Sequence, residues 1–185
     1  MVNLPNLLTI GRLFATPLVI WLIATGEHLA AFWVFALAGA TDAVDGALAR
    51  ALDQRTKLGA YLDAVADKAL LVSIYVTLAL AGEIPAALAA AVVARDALIV
   101  GAVGLGWALQ RPLPIEPLKI SKANTAAQIV FAGLVLGGDG FGLRFGMLEA
   151  AVGWVVAGLT LASAGAYLLA FAKHMARAET GRRDP

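Results

Sequence analysis

At 185 residues, 61% of them hydrophobic and 15% charged, and with a mean hydropathy of +0.82, this chain is too apolar for an ordinary soluble domain of its length. It contains no cysteine, which excludes a disulfide framework and a thiolate metal site. The formal net charge of +1 says little by itself, and no nucleic acid is expected as a partner; where the charges sit says more.

The first stretch, MVNLPNLLTIGRLFATPLVIWLIATG, carries Arg12 inside its apolar run and Pro17 soon after. That is a poor secretory signal and lacks the Arg/Ser-rich character of a transit peptide, so it reads as a retained helix of a bacterial plasma membrane. About 20 apolar residues span a bilayer. On that scale the chain divides into six candidate spans at roughly 5–25, 29–50, 57–81, 84–110, 118–138 and 147–173. The breaks between them are Gly26-Glu27-His28, Asp53-Gln54-Arg55-Thr56, Gly82-Glu83, the proline-interrupted run Gln110 to Pro117, and Gly137-Gly138-Asp139-Gly140. No internal repeat stands out, and residues 1–185 read as a single domain.

Basic residues fix the expected orientation. Arg50, Arg55, Lys57, Arg111, Lys119, Lys122, Lys173, Arg177, Arg182 and Arg183 fall on one side, and the opposite loops hold only Arg144. The basic side is expected to be cytoplasmic. The fold class is therefore an all-α, polytopic membrane protein with six transmembrane helices and both termini in the cytoplasm.

The second and third spans meet in TDAVDGALARALDQRTKLGAYLDAVADK, residues 41–68. At about 100° per residue, Asp42, Asp45, Gly46 and Ala49 share one helical arc, and Gly59, Asp63 and Asp67 share another. Uncompensated anions are costly in apolar surroundings, and all-oxygen ligation suits hard ions such as Mg²⁺ or Mn²⁺. Four carboxylates can hold two such ions side by side, the arrangement that clamps attacking and leaving oxygens during displacement at phosphorus. Gly46 and Ala49 leave a helix face bare for a flat ligand such as a nucleotide, and Arg50 offers a donor fork for phosphate oxygens. Asp67, one turn beyond Asp63, is placed to take a proton from an incoming hydroxyl. Two plainer readings stand beside this one. The aspartates can cap helices and pair with Arg50, Arg55 and Lys57, or they can line a proton or cation pathway. The pathway reading explains the carboxylates but not Gly46, Ala49, Arg50 and Gly59.

The spacing Asp42-x2-Asp45-Gly46-x2-Ala49-Arg50-x8-Gly59-x3-Asp63-x3-Asp67 resembles the signature of the CDP-alcohol phosphatidyltransferases, with every motif position filled. That resemblance implies transfer of a phosphatidyl group from CDP-diacylglycerol to an alcohol with release of CMP, in a membrane and at a cytoplasmic face. It implies that Asp42, Asp45, Asp63 and Asp67 surround two divalent ions and that Asp67 is the general base. It also implies that Asp42, Asp45, Gly46, Ala49, Arg50, Gly59 and Asn6 contact the CDP moiety. Asn3, Asn6, Thr9 and Arg12 lie along one stripe that is similar to the family's polar first helix; interfacial placement is the plainer account of the two asparagines. Members commonly form homodimers.

The acceptor is the finer question. VFALAGATDAVDGALAR, LGAYLDAVADKALL, the Ala94-Arg95-Asp96 region and ISKANTAAQ resemble CMP-forming cardiolipin synthases, over most of residues 3–130. Phosphatidylglycerophosphate synthases usually show Gly-Lys-x-Lys-Thr-x-x-Gln in the fifth helix, where this chain reads Ser121-Lys122-Ala123-Asn124-Thr125-Ala126-Ala127-Gln128. One Gly and one Lys are replaced, which points to phosphatidylglycerol as acceptor over glycerol 3-phosphate. Arg95 is either half of an internal ion pair with Asp96 or the holder of the acceptor's phosphate, with Lys122 and Lys119 as further candidates or as interfacial anchors. Trp21, Trp33, Trp107 and Trp154 read as lipid-interface or packing residues, the two histidines are assigned nothing, and the sixth span shows no polar constellation.

Overall fold

The computed structural model describes residues 4–51, 57–108, 119–143 and 145–180, with side chains for residues 11–41, 66, 68–102, 119–143 and 145–172. The described residues form six helices and no strands: α1 (Leu4–Ala24), α2 (His28–Ala51), α3 (Lys57–Leu80), α4 (Ala86–Ala108), α5 (Lys119–Phe141) and α6 (Met147–Thr180). Each lies over one of the segments read from the sequence. The breaks expected at 53–56 and 110–117 lie outside the described residues.

Three helices stop at the same end of the bundle by the same device. Beyond α1, Gly26 takes φ 78°, its N–H reaches the carbonyl of Ile23 at 3.0 Å, and Glu27 N–H reaches Leu22 at 2.8 Å. Gly82 (φ 81°) and Glu83 repeat this pattern on Ala79 and Leu78, and Gly142 (φ 68°) and Leu143 repeat it on Asp139 and Gly138. These are Schellman caps, in which a left-handed glycine turns the chain while two otherwise orphaned carbonyls accept hydrogen bonds. Pro85 then opens α4, its carbonyl accepting from Leu88 at 2.9 Å and from Ala89 at 3.3 Å.

One expected break is corrected. Gly137-Gly138-Asp139-Gly140 lies inside α5, which continues to Phe141. The glycines serve close packing there: a Cβ on Gly140 would stand 2.7 Å from both N and Cα of Leu29, closer than real Cβ atoms come. The turn falls instead at Gly142–Gly146.

The helices pack as two quartets sharing an edge. In one, α1 and α5 each touch both α2 and α3; in the other, α4 touches α3 and α6, and α5 touches α6 and α3. Among the described residues α2 and α3 do not touch each other. The first quartet is filled by Val19, Leu22, Ile23, Ala31, Phe35, Ile74, Phe131 and Val135, all buried. Large apolar side chains also face outward, among them Phe14, Trp21, Trp33, Leu80, Met147, Trp154 and Leu169. Two described helices, Lys119–Phe141 and Met147–Ala172, are long and apolar enough to cross a membrane.

Candidate functional site

The acidic positions sit where two buried stripes run out. At about 100° per residue, the buried Ala31, Phe35 and Ala38 of α2 define a face that Asp42, Asp45, Gly46 and Ala49 continue. On α3 the buried Leu70, Leu71, Ile74 and Leu78 define a face that Gly59, Asp63 and Asp67 continue. Helical register places each motif set along one stripe of its own helix. The side chains of Asn6, Asp42, Asp45, Arg50, Asp63 and Asp67, and those around Ala49 and Gly59, lie outside the described residues. Asn3 and the 53–56 loop lie wholly outside them.

The neighbouring side chain Lys68 is described, and it leads into the second quartet. Its Nζ donates to Asp96 Oδ1 across α3 and α4 at 3.0 Å. Asp96 also pairs with Arg95. Arg95, at 2% exposure, sends Nε to Ser163 Oγ at 3.2 Å, Nη2 to Ser163 Oγ at 2.9 Å, and Nη2 to Ser121 Oγ. One guanidinium therefore joins α4, α5 and α6, and the adjacent carboxylate is shared between Arg95 and Lys68. A guanidinium has five N–H donors; with one also directed to Asp96, a single hydrogen on Nη1 is left uncommitted by these contacts. A buried charge needs this density of partners, because losing water is repaid only when each polar group is satisfied.

One turn along α5, Asn124 is fully buried and its Oδ1 accepts from Thr160 Oγ1 on α6 at 3.0 Å. A further turn on, the backbone carbonyl of Gln128 accepts from Tyr75 Oη on α3 at 3.2 Å. Lys119 and Lys122, by contrast, are exposed at the start of α5. Arg12, on α1, is buried.

The structure thus brings Arg95 and Asp96 together as an ion pair and adds partners that the sequence did not disclose, Lys68, Ser121 and Ser163, with Thr160 as the partner of Asn124. The sixth helix, which looked featureless, supplies Thr160 and Ser163 from one face. Their spacing of three residues was the available signal, although hydroxyls in an apolar helix usually bond only their own backbone. At the opposite end of the bundle His28 lies 2.5 Å from Glu83, a pairing with no trace in local sequence.

Comparison with known proteins bears on what this arrangement does. A model of the CDP-alcohol phosphatidyltransferase family matches residues 2–163. The chloroplastic CDP-diacylglycerol–glycerol-3-phosphate 3-phosphatidyltransferase 1 of Oryza sativa subsp. japonica is 35% identical over 184 residues, covering 89% of this chain and 56% of that protein. The CMP-forming cardiolipin synthase of Homo sapiens is 35% identical over 144 residues, covering 69% of this chain and 48% of that protein. The CDP-diacylglycerol–glycerol-3-phosphate 3-phosphatidyltransferase of Pseudomonas fluorescens is 35% identical over 182 residues, covering 94% of this chain and 92% of that protein. The chain spans about half the length of the first two and nearly all of the third.

Proposed function

Because this chain belongs to the CDP-alcohol phosphatidyltransferase family, we propose that it transfers the phosphatidyl group of CDP-diacylglycerol to a hydroxyl of phosphatidylglycerol, giving cardiolipin and CMP. The bundle sits in a bacterial plasma membrane as six spans, its acidic faces at the cytoplasmic end. The outward-facing apolar side chains support that setting.

The donor set fits hard divalent ions: four carboxylates, two on each of two helices, each pair sharing one stripe by register. Asp42, Asp45, Asp63 and Asp67 would hold Mg²⁺ or Mn²⁺, which when bound polarises the pyrophosphate and acceptor oxygens. Gly46, Ala49 and Gly59 let the cytidine diphosphate lie close to backbone, with Asn6 alongside, and Arg50 receives phosphate oxygens. Asp67 accepts the proton of the acceptor hydroxyl as its oxygen bonds to the phosphatidyl phosphorus; the bond to CMP breaks and the electron pair leaves with CMP. Lys122 and Lys119, with the uncommitted hydrogen of Arg95, are the cations assigned to the acceptor's phosphate.

The observation that carries the choice of acceptor is Asn124. It stands where the phosphatidylglycerophosphate synthase pattern has a lysine, and here it is a wholly buried neutral amide bonded to Thr160. Glycerol 3-phosphate is a small dianion that favours an additional cation. Phosphatidylglycerol carries one negative charge and enters from the bilayer. The Pseudomonas fluorescens relative, matched along 92% of its length, favours the second reading, glycerol 3-phosphate as acceptor.

The test offers purified protein labelled CDP-diacylglycerol with phosphatidylglycerol or glycerol 3-phosphate in turn and identifies the lipid formed. Cardiolipin from the first and little product from the second is the expected result. Product only from glycerol 3-phosphate would reverse the acceptor and leave the reaction type standing. Ion flux in liposomes with no CMP released would replace the enzyme with a transporter.

A further inference from the structure

We propose that His28, Glu83 and Asp139 form a binding site for one divalent transition ion of the zinc class, at the end of the bundle remote from the aspartates. One ligand atom from each of the three lies within 4.8 Å of the others. They come from three separate pieces of chain: the first residue of α2, the turn between α3 and α4, and the last turn of α5. From His28 to Asp42 is 14 helical residues, about 21 Å at 1.5 Å per residue, so this cluster is distinct from the acidic faces.

The backbone around the cluster is fixed before any ion arrives. Glu83 is the residue whose N–H closes the cap of α3, and Asp139 is the residue whose carbonyl accepts from Gly142 in the cap of α5. His28 follows directly on the cap of α1. Gly140 seats the end of α5 against the backbone of His28 and Leu29, with no room for a Cβ. Three ligands are therefore presented from elements held by hydrogen bonds and close contact, the preorganisation that metal sites require.

A second observation points to a cation. His28 Nε2 lies 2.5 Å from Glu83 Oε1, and both side chains are largely buried, at 19% and 16% exposure. The other carboxylate oxygen, Glu83 Oε2, is buried and has no hydrogen-bond partner among the described residues. A buried carboxylate oxygen left bare is costly, so it calls for a positive or donor group. A cation shared by Glu83, His28 and the exposed Asp139 supplies it.

The ligand chemistry selects the ion. One imidazole nitrogen with two carboxylates suits Zn²⁺, Co²⁺ or Ni²⁺, whereas Mg²⁺ and Ca²⁺ favour oxygen alone. Metal–ligand bonds of about 2.0–2.2 Å in a tetrahedron place ligand atoms about 3.4 Å apart, so His28 and Glu83 need separate by only about 1 Å. Exposed Asp139 leaves the fourth position open to water. The bound ion would link α2 to the end of α3, the two helices that carry the aspartates and that do not touch each other among the described residues.

The experiment titrates the full-length protein in detergent with Co²⁺, with Mg²⁺ in excess to fill all-oxygen sites, and reads the visible absorption of tetrahedral cobalt. One ion per chain is expected, with affinity reduced at least about tenfold in Asp139→Asn and more in His28→Gln. No cobalt signal in the wild-type protein, or unchanged affinity in the variants, would overturn the site. Asp139→Asn alters an exposed side chain and decides the matter alone if His28→Gln does not fold. Since the readout is metal binding, its failure leaves the transferase reading untouched.

Discussion

The two quartets share α3 and α5 but handle polarity in opposite ways. The α1–α2–α3–α5 quartet buries mostly apolar side chains, with the charged Arg12 of α1 buried as well, and its motif positions continue two of its stripes by register, towards one end. The α3–α4–α5–α6 quartet carries its charges at mid-height, in Lys68, Asp96 and Arg95, and satisfies them with Ser121 and Ser163, while Thr160 and Asn124 bond one turn away. Charge that finds its partners within the protein ties helices together. The shared helix α3 holds both kinds of position side by side, the motif residue Asp67 and Lys68, which bonds Asp96 on α4.

That contrast can be broken most severely at the aspartates. Exhaustive chelation is expected to lower CMP release at least about 10³-fold, since two ions supply several kcal/mol to displacement at phosphorus, and Mg²⁺ or Mn²⁺ should restore it. Activity that survives chelation would make the acids structural and erase the difference between the quartets. In the second quartet the expected effect is on stability. Arg95→Ala leaves Asp96 without its buried guanidinium and should cost about 3–5 kcal/mol, read as a lowered melting temperature in detergent. Partial recovery in Arg95→Met with Asp96→Leu and Lys68→Met would confirm that these three charges serve one another. Gly140→Ala drives a methyl into the Leu29 backbone and should cost about 1–3 kcal/mol. Thr160→Val, which removes one hydrogen bond to Asn124 without changing shape, should cost only about 0.6 kcal/mol, the usual worth of such a bond between membrane helices. A larger loss there would mean that the polar network is cooperative.

The six helices were legible because apolar runs of spanning length are interrupted by glycine and proline, and both signals are local. The same logic misplaced the end of α5. Gly137-Gly138-Asp139-Gly140 reads as a breaker until Phe32 and Leu29 of another helix are known to press against it. The helices that carry the acidic motif were legible from spacing, since register within α2 and α3 needs no knowledge of neighbours, while the motif side chains themselves lie outside the described residues. Arg95 and Asp96 were visible as charges in an apolar span, yet Lys68, Ser121 and Ser163 were not visible as their partners. Which hydroxyl meets which charge depends on the packing of α3, α4, α5 and α6. His28, Glu83 and Asp139 are the extreme case, as each is unremarkable in its own segment and significant only where three turns converge.

The most direct test of the central claim, that the acidic faces of α2 and α3 are the reaction centre, is CMP release by Asp67→Asn beside the wild-type protein. Both samples should first be shown to bind CDP-diacylglycerol equally. Loss of a general base predicts turnover lower by about 10²–10⁴-fold with binding retained. Turnover close to wild type would remove Asp67 from the chemistry and contradict the account.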